Sequence, residues 1–138
     1  MPYDSNNIFA RVLRGELPKV AVYEDDLTLA LMDIMPSTEG HTLVITKEPA
    51  EGILDLSPEG AAALIRTTQK VARAVKAGLG CSGVMLVQLN GAAAGQSIPH
   101  IHFHILPREE GLNLTLHGRA MQKPEALEAV AAKIRAAL

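Results

Sequence analysis

The stretch Gln96-Ser97-Ile98-Pro99-His100-Ile101-His102-Phe103-His104-Ile105-Leu106-Pro107 constrains this chain more than any other. It holds three of the five histidines, alternating with Ile101, Phe103 and Ile105. Such alternation with β-branched and aromatic residues is the pattern of a β-strand. Successive strand side chains point to opposite faces, so His100, His102 and His104 share one face and the apolar residues share the other. The apolar face belongs in a core. Three adjacent imidazoles are costly to bury without partners. At about 3.3 Å of rise per residue, neighbouring histidines stand roughly 7 Å apart and the outer two roughly 13 Å. That spacing suits a row of groups along an extended polar ligand. It suits one metal ion poorly, because Zn–N bonds are about 2.0 Å and only two of the three could share an ion. A structural strand, a metal site and a catalytic row are the three readings, and titratable groups gathered together favour the last.

The rest of the composition narrows the class. A chain of 138 residues, nearly half apolar, is enough for one domain with a real core. A net charge of -2 and two Phe, two Tyr and no Trp argue against a nucleic-acid surface, basic or stacked. No apolar run is long enough to span a bilayer. Met1-Pro2-Tyr3-Asp4 lacks the basic and apolar regions of a signal peptide. Cys81 is the single cysteine, so no internal disulfide can form and a reducing cytoplasm is the expected location.

Taken in order, Asp4 or Ser5 can cap a short helix carrying Ile8, Phe9, Val12 and Leu13, which Arg14 and Gly15 end. Residues 20–23 and 27–33 read as a hairpin around Glu24-Asp25-Asp26, and residues 41–46 as a third strand. Ser57-Pro58-Glu59 starts a long helix with Leu64, Thr68, Val71 and Val75 on its buried stripe, ended by Gly78 or Gly80. Lys70, Arg73 and Lys76 read as its solvated face. Residues 84–89 are almost continuously apolar and predict a central fourth strand. The histidine strand would be the fifth. Residues 112–117 alternate weakly and read as a short strand, and Pro124 to Leu138 as a last helix with Leu127, Val130, Ile134 and Leu138 on one side. The expected fold is α+β: a five-stranded antiparallel sheet with two main helices on one face, histidines on the other, and a C-terminal helix. Residues 1–110 would form the ligand-binding domain and residues 111–138 a helical extension packed on it.

The loop Asn90-Gly91-Ala92-Ala93-Ala94-Gly95-Gln96-Ser97 leads into the histidine strand. Small residues let ligand oxygens approach backbone N–H groups. The loop lacks the Walker pattern, and no Lys or Arg lies between Lys76 and Arg108. A phosphate held by amides, hydroxyls and imidazolium fits better than a lysine-held triphosphate. Histidine titrates near neutrality, so such a row can supply a neutral nucleophile beside a proton donor. An imidazole attacking phosphorus would give a phosphoryl- or nucleotidyl-histidine that water discharges. Ser97 has no Gly-x-Ser-x-Gly elbow, which argues against a serine hydrolase. Cys81 has no activating neighbour in sequence and reads as a turn or core thiol.

His100-Ile-His-Phe-His-Ile-Leu resembles the signature of the histidine triad superfamily, His-x-His-x-His with apolar spacers. The similarity continues through Ile8-Phe9, Arg14-Gly15-Glu16-Leu17-Pro18, Tyr23-Glu24-Asp25-Asp26, Asp33-Ile34-Met35-Pro36, Gly40-His41-Thr42-Leu43-Val44-Ile45 and Gly95-Gln96-Ser97. It covers about Ile8 to Arg108 and is nearer to the Hint-like branch than to the fragile-histidine branch. The resemblance implies a purine-nucleotide-binding homodimer whose sheets join across the interface. By position it implies His102 as the nucleophile that becomes nucleotidylated, with His100 and His104 positioning it and His41 supporting the row. It implies Asp33 at the ribose, and Asn90, Gly95, Gln96 and Ser97 near the phosphate or leaving group. Ile8, Phe9 and Ile34 would line the base pocket. Many bacterial relatives carry Cys-x-x-Cys near the start and a further His after the third strand, forming a structural zinc site. Here those places hold Asn7-Ile8-Phe9-Ala10 and Pro49, so no metal and no other cofactor is expected.

The favoured function is hydrolysis or transfer at the α-phosphorus of purine nucleoside phosphoramidates or related conjugates. One rival is a purine-nucleotide-binding regulatory or scaffold protein with little turnover. Another is a metal protein using His100, His102 and His41. Neither nucleic acid nor membrane is an expected partner.

Overall fold

The computed structural model describes residues 2–110 and 120–138. Helix α1, Ile8–Leu13, is capped by Asn7, whose side-chain oxygen accepts from the Ala10 N–H at 2.9 Å. The cap falls there, and not at Asp4, because the Asp4 carboxylate is spent on a turn, accepting the Asn6 N–H. Arg14 closes the helix and Gly15, at φ 80°, turns the chain away, a conformation that costs glycine least.

Strands β1 (Ala21–Glu24), β2 (Thr28–Met32), β3 (Thr42–Thr46), β4 (Gly83–Gln88) and β5 (His102–Arg108) form one sheet in the order β1-β2-β3-β5-β4. Every neighbouring pair is antiparallel. At the β1–β2 turn, Asp25 Oδ1 accepts the N–H groups of Leu27 and Thr28 and the Thr28 hydroxyl, which fixes the hairpin register.

Helix α2, Pro58–Leu79, starts at Ser57, whose hydroxyl accepts from Gly60 N–H while Glu48 holds Ser57 from behind. It stops at Gly80, in the left-handed conformation. Leu64, Thr68, Val71 and Val75 are all buried, as their spacing predicts. Helix α3, Pro124–Ala136, buries Leu127, Val130 and Ile134. It ends before Leu138, which is exposed. Gly78 of α2 lies so close to α3 that a Cβ there would stand 2.5 Å from the Lys133 carbonyl oxygen. No described helix is long and apolar enough to cross a membrane. The strand read at residues 112–117 lies outside the described residues.

The sheet has two unlike faces. Val44, Ile101 and Ile105 join Leu64, Val71, Val75 and the α3 stripe in the larger core. On the other face, Phe9 and Val12 of α1 pack on Leu29, Leu31, Leu43 and Ile45. Leu43 pairs with His104 and Ile45 with His102, and paired residues share a face. The histidines are therefore a polar extension of the smaller apolar patch.

One element departs from its pattern. The apolar run of β4 predicts a central strand, yet β4 is an edge, and its residues are half-buried or, for Leu86, exposed. An unbroken apolar run is compatible with burial on both faces, but it does not say that strands flank it. The central positions go to β3, wholly buried, and β5.

Candidate active site

His102 and His104 project from the start of β5 onto the α1 face, and His100 lies just before the strand. His41 immediately precedes β3. All four are buried, which alternation alone does not foretell. Hydrogen bonds offset the burial cost, and together they set which ring nitrogen carries a proton.

His102 Nδ1 lies 2.7 Å from the carbonyl oxygen of His100. A carbonyl only accepts, so Nδ1 holds the hydrogen and, in the neutral ring, Nε2 holds the lone pair. His100 Nε2 meets the Thr46 carbonyl at 2.7 Å and its Nδ1 meets the Tyr3 hydroxyl at 2.5 Å. His100 therefore donates through Nε2 and accepts from Tyr3. The backbone N–H of Ser37 donates to His41 Nδ1 at 3.1 Å. That leaves His41 Nε2 to donate to His104 Nδ1 at 2.9 Å, with Asp33 Oδ2 3.5 Å from the same nitrogen. His104 then carries its hydrogen on Nε2. The His102 and His104 rings meet edge to face at 4.9 Å between centroids, and Phe9 braces His102 at the same distance. The rings lean together, closer than the strand rise alone implies.

Burial keeps the His100 pKa below its ordinary value near 6.5, although the Thr46 carbonyl works the other way. The sign follows: below that value the unfolded chain binds a proton that folded His100 resists, so stability is present above about pH 6.5 and falls as pH drops. The slope should approach ~1.4 kcal/mol per pH unit at most. Denaturant titrations across pH 5–8 are expected to show it, and His100→Gln to flatten it.

A cavity of about 660 Å³ opens beside the row. His102, His104, Asp33 and Ser97 give it a polar end, and Ile8, Phe9 and Ile34 part of its apolar wall. These seven were singled out by sequence, and the fold brings them around one space. His100 and His41 stand behind it, touching it only through the rings they hold. Asn90, Gly95 and Gln96 are not in the wall. Asn90 Oδ1 accepts from Ile53 N–H and pairs with Gln88. Gln96 bonds the carbonyls of Glu51 and Ile98 and accepts from Gly91 N–H. The N–H groups of Gly91, Ala94, Gly95 and Gln96 bond within the loop.

Sequence reasoning missed Tyr3, which precedes any periodic pattern, and Met121, Gln122 and Leu127, which line the cavity from the C-terminal segment. Leu127 is legible as a helix-stripe residue, but no spacing says that it also faces a cleft.

Two metal sites can be tested on the residues present. At Asn7, Ala10 and Pro49, the places where the resemblance would put zinc ligands, Asn7 Oδ1 accepts from the Ala10 N–H, and Ala10 and Pro49 carry no side-chain donor. A zinc ion needs about four ligands, so this set does not fit. Among the described residues, Asp33, His41 and His104 bring ligand atoms within 4.8 Å of one another. Metallation of His41 Nε2 would move its proton to Nδ1, against the Ser37 N–H. The wiring fits a proton relay better than an ion.

Comparison with known proteins agrees with this geometry. The HIT domain family model matches residues 14–111. A solved HIT-like protein of Bartonella henselae, described as involved in cell-cycle regulation, is 46% identical with a TM-score of 0.93, covering all of both chains. A hypothetical histidine triad nucleotide-binding protein of Sulfolobus tokodaii is 32% identical with a TM-score of 0.85, over 94% of this chain and 89% of its own. Adenosine 5'-monophosphoramidase of Schizosaccharomyces pombe is 39% identical over 101 residues, 73% of each chain.

Proposed function

The chain belongs to the HIT domain family, and from that footing we propose that it is a nucleotide hydrolase or transferase acting at the α-phosphorus of purine nucleoside phosphoramidates or related conjugates. One observation carries the reading: the His100 carbonyl fixes the Nδ1 hydrogen of His102, which makes Nε2 the lone-pair nitrogen of the neutral ring, on a side chain that lines the cavity. The monophosphoramidase activity named for the fission-yeast relative supports the substrate class.

In this scheme His102 Nε2 attacks phosphorus, the P–N bond to the leaving group breaks, and the departing nitrogen takes a proton. Ser97, in the cavity wall, gives that proton from its hydroxyl and recovers one from the water that attacks next. Water then attacks the nucleotidyl-histidine, releasing the nucleoside monophosphate and restoring the neutral ring. His104, its Nδ1 engaged by His41, offers its Nε2 hydrogen to a phosphoryl oxygen, where charge develops. Asp33 takes the ribose hydroxyls, and Ile8, Phe9 and Ile34 take the base. Asn90, Gly95 and Gln96 act through the loop they shape. Purified protein mixed with an adenylyl phosphoramidate should release AMP and free amine. Tight nucleotide binding without release would favour a regulatory binding protein instead.

The same proposal includes a homodimer. β4 is an apolar edge strand with Leu86 exposed, and unpaired apolar edges invite pairing with another chain. Sedimentation at micromolar concentration should give twice the chain mass; a monomer would remove this part.

A further inference from the structure

Tyr3 stands outside every recognised motif, yet it reaches across 97 residues of sequence to the first histidine of the row. Its hydroxyl lies 2.5 Å from His100 Nδ1, and the two rings meet edge to face at 5.7 Å. The opposite nitrogen of His100 is fixed on the Thr46 carbonyl of β3. Since Nε2 must donate there, Nδ1 accepts, and Tyr3 must be the donor. Phe9 packs edge to face on both His100 and His102, at 6.2 and 4.9 Å. The imidazole of His100 is thus gripped from both ends, by the N-terminal segment and by β3. Its backbone carbonyl is the group that holds the His102 proton.

We propose that Tyr3 is a positioning residue for the nucleophile. Its hydroxyl, with the Thr46 carbonyl at the opposite nitrogen, holds the His100 ring in one orientation, which places the His100 carbonyl so that His102 presents Nε2 to the cavity. The N-terminal segment is then part of the catalytic apparatus without touching substrate. The kinetic half of this proposal rests on the reading of His102 as nucleophile. The tautomer half does not.

The test is Tyr3→Phe, which keeps the ring and removes the donor. Turnover of an adenylyl phosphoramidate should lose roughly tenfold in kcat, with KM within about twofold. Nitrogen-15 imidazole spectra should show His100 with its proton on Nε2 and His102 on Nδ1 in the wild type; in the variant His100 keeps its Nε2 proton on the Thr46 carbonyl, while His102 becomes a mixture of tautomers. Tyr3→Leu, which also loses the ring, should show the same kcat loss plus a lower melting temperature. Unchanged kcat and unchanged tautomers in a folded Tyr3→Phe protein would overturn the proposal. Equal losses in kcat and melting stability, with tautomers intact, would reduce Tyr3 to a structural role and overturn it too. Should wild type release no AMP, the hydrolase reading falls, and the spectra alone still decide the positioning of His102.

Discussion

Replacing His102 with alanine is expected to lower kcat/KM for an adenylyl phosphoramidate by on the order of 10⁴, because the variant loses the only proposed covalent path and retains no substitute lone pair at that point. Binding of AMP should change little. The cavity keeps Asp33, Ser97, Ile8, Phe9 and Ile34, and the imidazole contributes one edge of the polar end. The neighbouring rings should hold their places, since His104 is bonded to His41 and His100 to Thr46 and Tyr3. Single-turnover kinetics with calorimetric AMP titration separates the two effects. Equal weakening of binding and turnover would make His102 a binding residue. Retained turnover would assign the chemistry to another group.

The second large effect is on stability. Ile105 is fully buried on the reverse of the histidine strand, within the core that α2 and α3 cover. Ile105→Ala should cost about 2–5 kcal/mol, the lost transfer energy plus the cavity left behind. For a chain of this length that is a fall in melting temperature of about 8–15 °C. Activity well below the transition should persist, because the histidines face the other way. Thermal denaturation followed beside turnover at low temperature checks both. A loss of turnover at full folding would mean that the two faces of β5 are coupled through the backbone.

How much of this was open to sequence depends on which force placed each residue. His102 and His104 share a face because strand geometry has period two, and nothing in the tertiary structure could override that. Phe9 of α1 lies edge to face on the buried ring of His102; no local pattern says that a six-residue helix covers it. β4 shows the opposite failure. Its apolar run is real, yet β4 is an edge whose residues are half-buried or, for Leu86, exposed, and an apolar run alone does not separate an edge from a centre. Asn90 and Gln96 carry polar groups that a loop beside a phosphate site needs. The structure spends those groups on Ile53, Glu51 and Gly91, a choice made by chain closure that spacing does not encode. Tyr3 is the extreme case: one residue in no pattern, placed by a contact 97 positions away.

The link between buried tautomers and chemistry narrows to one bond, between His102 Nε2 and the α-phosphorus. Intact and peptide-level mass spectrometry of protein quenched during turnover of an adenylyl phosphoramidate observes that bond directly. The expected result is a nucleotidyl adduct on His102 that forms and decays in step with AMP release, and is missing from His102→Ala. An adduct on another residue, or full turnover with no adduct at any time point, would contradict it.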